Sequence, residues 1–352
     1  MPLSLQPFPA FYHPPFGVVD ELPYCRDGVR NLPATTLVRY DRTSFAELRI
    51  HRHVNGAPSR GICGLLPATA FADGTVRPHE ATLESRLLRQ EKLVLADRGA
   101  LGKPILLTVP RLTDWWEARD QDHMATGRNV DFVGQDNDYQ LRSYERSEEA
   151  LTRPLSLAEL GTLCIADGHH RAATHARLAA RGVPECRLVP VCIIGAEELH
   201  IGTFLRVIDT TEREGNLLDS LAVHFKLREM ETPLAPVRPG RWLLVHAGRY
   251  YRLERRESGE KAVDNRWLEN VVLPAIFGIH NTRTDERITY EPVADTPGGR
   301  VDFAWSPERT YLCGFPLPKE AFFAEVAAGR LLPPKSTRFE PRVPSGMVVW
   351  MP

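Results

Sequence analysis

Three short clusters of this sequence contain side chains that could do chemistry. The first, Asp167-Gly168-His169-His170-Arg171, ends an apolar run and opens an alanine-rich helical stretch. Asp167 could coordinate a divalent cation, while the amides of the helix N-terminus, the imidazoles and Arg171 could bind phosphate oxygens. The alternative is a polar helix cap with Arg171 in solvent. The segment predicts an anion site at a strand–helix junction.

The second cluster, residues 77–82, reads Arg-Pro-His-Glu-Ala-Thr and precedes the first long helical pattern. Glu80 could act as a general base, because a carboxylate beside a hydroxyl can accept its proton as that hydroxyl attacks. Thr82 is available as the N-cap of the helix. Helix capping alone therefore remains an alternative to catalysis for this cluster.

The third cluster, residues 333–342, reads Pro-Pro-Lys-Ser-Thr-Arg-Phe-Glu-Pro-Arg. Lys335 stands beside the hydroxyls of Ser336 and Thr337 on a proline-stiffened backbone. Such a group can neutralise a transferred phosphoryl group or a carboxylate. The alternative is a solvated tail.

Other motifs are excluded. Residues 99–104, Gly-Ala-Leu-Gly-Lys-Pro, have two residues between the glycines where a P-loop needs four, and proline replaces the hydroxyl residue. The six cysteines form no Cys-x-x-Cys pair and lie mostly in apolar runs, which is typical of buried thiols in a reducing compartment.

Composition limits the class of protein. The chain has 352 residues, which favours two domains, and its 44 basic and 45 acidic side chains nearly cancel. That balance provides no general attraction to nucleic acid or to an anionic membrane. No leader and no membrane-spanning run is visible, so we expect a cytoplasmic protein whose partners are small molecules.

The elements that position the clusters follow from hydrophobic periodicity. Buried strands are expected at 104–109, 163–166, 188–194 and 199–208, a hairpin around Asn55-Gly56, and helices after Thr82 and over 170–181. Residues 114–153 are polar and aperiodic and predict a long loop or lid, anchored by Trp115-Trp116. Beyond residue 210, a hairpin at 241–254 and a helix over 264–277, ended by Gly278, complete an α/β or α+β pattern.

The clusters, in this order, resemble domain-of-unknown-function family 1015. The matching strings are Pro23-Tyr24, His-Glu-x-Thr at 79–82, Ile-Ala-Asp-Gly-His-His-Arg at 165–171 and Pro-Pro-Lys-Ser-Thr-x-Phe at 333–339. The Asp-Gly-His-His-Arg string is also similar to that of ParB-like nucleotide-binding domains, which include free-serine kinases. The resemblance covers nearly the whole chain.

The resemblance implies an α+β fold with a ParB-like catalytic domain at 1–210. A second mixed α/β domain at 211–352 would return its Lys-Ser-Thr segment to the cleft. The implied function is a serine kinase that forms O-phosphoserine, with Mg and a pyrophosphate, ATP or ADP donor. The resemblance implies a catalytic role for Glu80, Asp167 and His170, with Asp167 also binding the metal. It implies that the donor is bound by His79, Gly168, His169, Arg171, Lys335, Ser336 and Thr337. Arg206, which lies outside the three clusters, and Arg342 would bind the substrate.

Two departures from the family pattern bear on this expectation. Cys25 follows Pro-Tyr where the family has aspartate, and Phe204-Leu205-Arg206 replaces Thr-His-Arg. These changes leave open a different alcohol substrate or a loss of catalysis. The alternatives are a non-catalytic nucleotide-binding switch of the ParB-like type and a phosphoserine phosphatase. The sequence does not fix the oligomeric state.

Overall fold

The protein is described by a computed structural model over residues 3–12, 38–39, 45–53, 58–121, 125–134, 137–145, 155–210, 215–256, 263–293 and 298–352. The chain divides into two compact units: unit 1 is Met1–His200 with Pro341–Pro352, and unit 2 is Ile201–Glu340. Both units combine sheets with helices, so the α+β class is confirmed. The assignment of 1–210 and 211–352 as functional domains stays a prediction.

Unit 1 is built on a sheet of eight described strands. Their order is β6-β11-β7-β12-β5-β4-β9-β8, with β11/β6 and β12/β7 parallel and the other neighbours antiparallel. Short pairs β1/β10 and β2/β3 are separate from it. The strands are β1 (Ser4–Leu5), β2 (Phe11–Tyr12), β3 (Val38–Arg39), β4 (Ala46–Arg52), β5 (Ser59–Pro67), β6 (Val76–Arg77), β7 (Ile105–Val109), β8 (Ala125–Val133), β9 (Asn137–Glu145), β10 (Leu155–Ser156), β11 (Leu163–Asp167) and β12 (Leu188–Gly195).

The centre of this sheet is formed by continuous apolar runs. Every residue of β7 is buried, and so are the first four residues of β11. A strand covered on both faces needs apolar side chains at every position, which explains why these runs do not alternate. The predicted strands at 104–109, 163–166 and 188–194 and the paired strands of the first hairpin are confirmed; its turn, Asn55-Gly56, lies outside the described residues.

The described part of unit 1 contains four α-helices: α1 (Thr69–Ala72), α2 (Glu84–Ala96), α3 (Thr113–Gln121) and α4 (His169–Ala180). Helices α2 and α4 pack together through a cluster that includes Val94 and Leu178. Glu91 of α2 forms ion pairs with Arg177 of α4 and with Arg181, the residue that follows α4. Leu83, just before α2, contacts His170 at the start of α4, and Glu91, further along α2, contacts Arg177 and Arg181 near the end of α4. The two helices therefore run parallel, with their N-termini at the same end.

Two expectations about unit 1 were wrong. Residues 114–153 were expected to form a loop or lid, but the described part contains α3, the strand β9 and the edge strand β8. Trp115 and Trp116 are nevertheless buried, as anchors should be. Helix α2 has Leu83 rather than Thr82 as its N-cap residue, without a side-chain cap.

The final residues of the chain complete unit 1. The Gly346 amide donates to Gly102 O at 2.6 Å, and Trp350 exchanges two backbone hydrogen bonds with Leu101. These bonds fix the C-terminal stretch against the turn that precedes β7. Arg342 consequently belongs to unit 1, whereas Lys335 belongs to unit 2.

Unit 2 contains an antiparallel sheet of six described strands in the order β15-β17-β16-β19-β14-β18, and the pair β13/β20. Helix residues Trp267, Leu268 and Val272 pack on one face of that sheet. The elements are β13 (His200–Gly202), β14 (Phe204–Asp209), α5 (Leu217–His224), β15 (Phe225–Met230), β16 (Arg241–His246), β17 (Arg249–Arg255), α6 (Asp264–Trp267), a π-helical turn (Leu268–Val272), α7 (Leu273–Phe277), β18 (Ile288–Pro292), β19 (Arg309–Gly314), α8 (Lys319–Ala327) and β20 (Arg338–Glu340).

The helix expected over 264–277 is confirmed, and Gly278 ends it with φ +62°. The sequence did not predict its central π turn, a feature that often marks functional sites. In the described part of the chain no helix is long and apolar enough to cross a membrane. The five cysteines described are buried and unpaired by disulfides; Cys25 lies outside the described residues.

Leu107 provides a test of the sheet core. It is fully buried in β7 between β11 and β12, so Leu107→Ala should lower the free energy of unfolding by about 2–5 kcal/mol. Leu88→Ala is the matched control, because Leu88 is 46% exposed on α2 and should change stability by less than about 0.5 kcal/mol. Urea unfolding measures both; equal losses would contradict the described strand order.

Candidate functional site

The candidate site lies where β11 ends and α4 begins. Gly168 makes the junction with φ +102°, a left-handed conformation that favours glycine. A Cβ at this position would lie 2.8 Å from the Arg171 Nη2 atom and 3.1 Å from Ile105 Cδ1. Glycine is therefore required here by backbone conformation and by space, and the turn directs the N-terminus of α4 toward the end of the strand.

Asp167 is the last residue of β11 and forms two ion pairs. Its Oδ2 atom accepts from Lys103 Nζ at 3.1 Å and from Arg171 Nη2 at 3.0 Å. Lys103 comes from the turn before β7, and Arg171 from the first turn of α4. One carboxylate oxygen thus joins Lys103 and Arg171, which are 68 residues apart in the sequence.

The charges around Asp167 determine its ionisation. Burial opposes the charged form, but Lys103, Arg171 and Arg342 outweigh burial and hold the pKa of the Asp167 carboxyl well below its usual range. Burial lowers the pKa of Lys103, and the adjacent carboxylate opposes that change. The site therefore combines three cationic side chains with one carboxylate, which leaves an excess of positive charge at a helix N-terminus.

Helix α4 also fixes the segment that carries Lys103. Arg171 Nη1 donates to the carbonyls of Lys103 at 2.6 Å and Pro104 at 3.1 Å. The buried ring of His175 lies within hydrogen-bond distance of Gly99 O, at 3.3 Å. Lys103 is the functional candidate that the sequence analysis missed. Its only signal was the glycine-rich turn before a buried strand, set aside because its spacing was wrong for a P-loop.

The two histidines of the motif hold the residue 79–83 segment against α4. His169 Nε2 accepts the His79 amide at 3.3 Å, and His170 Nε2 accepts the Leu83 amide at 3.1 Å. His79 Nδ1 donates to Ile165 O at 2.6 Å, and the His79 and His169 rings meet edge to face. The start of α2 and the start of α4 are joined by these bonds.

The accepting role of these rings fixes their protonation state. A neutral imidazole that accepts at Nε2 carries its proton on Nδ1, so His169 can donate from Nδ1 to an anion. Burial lowers the pKa of His169 well below its usual value, and the neighbouring His79 ring lowers it further. Burial lowers the pKa of His79 to about 4. His79 and His169 are therefore neutral at physiological pH.

Glu80 lies inside the segment that the histidines hold. It is half-buried and directly follows His79, whose amide contacts His169. Adjacent Cα atoms are about 3.8 Å apart, so the Glu80 backbone lies next to His79, the residue whose amide is bonded to His169. The predicted proximity of the His-Glu and Asp-Gly-His-His-Arg strings is thus present in unit 1. The catalytic and binding roles of their residues stay predictions.

The arrangement does not fit a resident magnesium site. In the described residues no three His, Cys, Asp or Glu side chains are grouped to hold a metal ion. The Asp167 oxygen that a metal would use already faces an ammonium and a guanidinium. Magnesium in proteins is often held by one or two carboxylates together with substrate phosphates, so it could enter with the donor. The role of Asp167 as a metal ligand stays a prediction.

The remaining predicted residues belong to unit 2, apart from Arg342. Arg206 is buried on β14, and Ser336 is buried in the segment before β20. Lys335 is exposed with φ +56°, and Thr337 is half-buried. The return of the Lys335 segment to the cleft stays a prediction.

Gly168 yields a test of the junction. Gly168→Ala should lower the free energy of unfolding by about 1–3 kcal/mol, because the added Cβ strains φ and meets Arg171. Gly182→Ala is the matched control: Gly182 follows the same helix with φ +88°, but its Cβ would meet nothing within 4 Å. Urea unfolding should show the larger loss at Gly168. A loss that is no greater than at Gly182 would contradict the contact with Arg171.

His79 predicts a pH dependence of stability. Its pKa is about 6.5 in the unfolded chain and about 4 in the fold, so between these values the unfolded state binds the extra proton. This contribution to stability is complete above pH about 6.5 and declines as pH falls through that window, by up to about 3 kcal/mol. Urea unfolding at several pH values should therefore show a shallower decline for His79→Asn, whereas His51→Asn, at an exposed position, should match the wild type. Parallel curves for all three proteins would contradict this assignment.

Solved structures show similarity at low sequence identity. SbnI with a C-terminal truncation from Staphylococcus aureus is 17% identical, with a TM-score of 0.46 over 81% of this chain and 86% of that one. A free serine kinase mutant in complex with AMP is 14% identical, with a TM-score of 0.40 over 82% and 91%. A conserved hypothetical protein from Pyrococcus furiosus is 15% identical, with a TM-score of 0.39 over 81% and 94%.

No curated protein matches the chain. The family described as "Protein of unknown function (DUF1015)" matches residues 31–276, a range that includes the His-Glu segment, the ion-paired Asp167 and the whole first turn of α4. With most of the chain matched, and with two of the resemblance strings meeting in one fold, the protein belongs to the DUF1015 family.

Proposed function

We propose that the protein is a small-molecule phosphotransferase that transfers a phosphoryl group to the hydroxyl of a small amino acid, with L-serine as the acceptor. The observation that carries this proposal is the pair of cations, Lys103 and Arg171, on one Asp167 oxygen at the N-terminus of α4, where the charge of Arg342 also lowers the pKa of the carboxyl. Three cations beside one carboxylate suit a ligand with several negative charges, such as pyrophosphate, ATP or ADP. Phosphoryl transfer depends mainly on positioning and charge neutralisation.

The donor would bind at the first turn of α4. The amides of His169, His170 and Arg171 precede the first backbone hydrogen bond of the helix, which Ala172 makes to Gly168 O. Amides at this position attract phosphate oxygens, and the helix dipole adds to the attraction. His169 Nδ1 supplies a neutral donor, and Lys103, whose ammonium faces the Asp167 carboxylate, supplies a charged one.

Glu80 would act as the general base. The acceptor hydroxyl loses its proton to the Glu80 carboxylate as its oxygen attacks the transferred phosphorus, and the bond from phosphorus to the donor's leaving oxygen breaks. The leaving group departs as phosphate or a shortened nucleotide, and the cations neutralise the charge it gains. The hydrogen bonds from His79 and Leu83 to the two histidines hold the backbone around Glu80 in place for this step.

The choice of serine follows from the resemblance of the Asp-Gly-His-His-Arg string to that of free-serine kinases. In this proposal His79, Gly168 and His170 complete the unit 1 site. Lys335, Ser336 and Thr337 contribute to binding of the phosphoryl donor. Arg206 and Arg342 bind the acceptor. Magnesium belongs to the donor complex as a substrate ion, in line with the lack of a resident site among the described residues.

Glu80→Gln tests the proposal. Incubation with magnesium, L-serine and each donor should give phosphoserine, detected by phosphorus NMR, and Glu80→Gln should lower the rate about 10²–10⁴-fold. The matched control is Glu84→Gln, four residues along the chain, because Glu84 is exposed and pairs with Arg177 on the helix surface. That variant should retain the wild-type rate.

The other outcomes of this experiment are equally informative. A protein that forms no phosphoserine with any donor, but changes its oligomeric state with nucleotide, would be a binding switch. Release of phosphate from phosphoserine without a donor product would identify a phosphatase. Equal rates for the two variants would contradict Glu80 as the base.

A further inference from the structure

Unit 2 contains a buried arginine, Arg206, that has no ion-pair partner among the described residues. Arg206 is 1% exposed, and its Nη2 atom donates to Asn265 Oδ1 at 3.1 Å. Its Nε and Nη1 atoms have no hydrogen-bond partner among the described residues. A guanidinium has five N–H groups, so three of them, one on Nε and two on Nη1, are buried without an acceptor.

Such an arrangement is costly unless something else accepts those hydrogen bonds. An arginine remains protonated in proteins, and a buried charge without a partner is strongly unfavourable. The centre of the Tyr290 ring lies 5.8 Å from the guanidinium carbon, near the outer limit of a cation–π contact. A ring at that distance does not replace the hydrogen-bond acceptors that the three N–H groups lack. Glu269 attracts the charge but accepts its hydrogen bond from Thr282. The described residues leave Arg206 short of an anion.

A second buried donor lies one side chain away. Ser336 is 2% exposed, and its hydroxyl has no hydrogen-bond partner in the described part of the chain. Asn265 connects the two residues, because its Oδ1 accepts from Arg206 while its Nδ2 donates to Ser336 O at 3.1 Å. Asn265 therefore links the Arg206 guanidinium to the backbone of Ser336, the residue that carries the unpartnered hydroxyl.

A further cation approaches the same face of β14. Phe204 and Arg206 are two residues apart in the strand, so their side chains leave the same face. Lys335 Nζ lies 5.1 Å from the centre of the Phe204 ring. Lys335 is exposed, whereas Arg206, Asn265 and Ser336 are buried, so the Lys335 segment is the side from which a ligand would enter.

We propose that unit 2 contains a buried oxyanion site in which Arg206 and Ser336 donate to a phosphate or carboxylate group, with Lys335 at its entrance. The groups present are donors, and two of them are cationic, so the site suits an acceptor with negative charge and excludes a metal ion. Phosphate and carboxylate share this chemistry. The proposed function already gives Arg206 to the acceptor and Ser336 and Lys335 to the donor, so this inference rests on that function for the identity of the ligand. The contacts that define the site lie within unit 2, and anion binding there can be measured without phosphoryl transfer.

Arg206→Met tests the site in the full chain without serine or nucleotide. Thermal unfolding is measured in sodium chloride and then with added inorganic phosphate or acetate at constant ionic strength. Wild-type protein should gain stability with one of these anions, because a ligand of the folded state raises the midpoint. Arg206→Met should unfold at the same or a higher midpoint in chloride, since it removes an uncompensated buried charge. Its anion affinity, measured by calorimetry, should fall at least about tenfold.

Ser336→Ala gives a second measurement that does not depend on the folding of the arginine variant. It should leave the midpoint in chloride unchanged or higher and weaken anion affinity about threefold to tenfold. Ser59→Ala is its matched control: Ser59 is also 2% exposed, but its hydroxyl donates to Glu198 O at 2.8 Å. That control should lose stability in chloride and keep wild-type anion affinity.

The two anions distinguish the ligand source. A response to phosphate that depends on Arg206 assigns a phosphate group, and a response to acetate assigns a carboxylate. Wild-type affinity in both Arg206→Met and Ser336→Ala would overturn the site, as would no response of the wild type to either anion. If Arg206→Met does not fold, unchanged affinity in Ser336→Ala overturns it. Failure of the kinase reaction alone leaves these results unaffected, because they measure binding.

Discussion

Asp167 forms ion pairs with Lys103 and Arg171, and the charge of Arg342 also lowers the pKa of its carboxyl, so three separate stretches of unit 1 act on one group. Lys103 precedes β7, Arg171 belongs to α4, and Arg342 follows the return of the chain from unit 2. A partly buried carboxylate would be costly without these cations, and the cations would repel one another without the carboxylate. Each charge therefore depends on the others for its place in the fold. The same balance leaves excess positive charge at the N-terminus of α4, so one electrostatic arrangement supports both local structure and the proposed attraction of an anion.

The strand–helix junction of the site could be predicted from the sequence. The apolar run before Asp167 and the helical pattern after it give β11 and α4 almost residue for residue. Lys103 could not be found in this way. Its place beside Asp167 follows from the antiparallel pairing of β7 with β11, which puts the residues before one strand next to the end of the other. Strand order is a tertiary property, and short-range periodicity does not determine it.

The wrong prediction for residues 114–153 has a similar cause. Strands β8 and β9 form the edge of the sheet and carry polar cross-strand pairs, such as Gln140 with Asp131 and Arg142 with Asn129. Buried Phe132 and Leu141 are separated by many charged and amide side chains, so an apolar pattern is hard to recognise. In unit 2, the resemblance singled out Arg206 as a substrate residue, but its burial and missing hydrogen-bond acceptors could be known only once β14 was placed beneath the 264–277 helix.

The chain enters unit 2 after His200 and re-enters unit 1 at Pro341, so unit 1 is discontinuous. During synthesis, every residue of unit 2 leaves the ribosome before Arg342 and before the backbone pairing of Trp350 with Leu101 can form. The eight described strands of the sheet all precede unit 2 in the sequence, whereas the charges around Asp167 are complete only after Arg342 has been synthesised. Premature termination within unit 2 would therefore yield a chain that contains every described strand of that sheet and lacks one of the three cations.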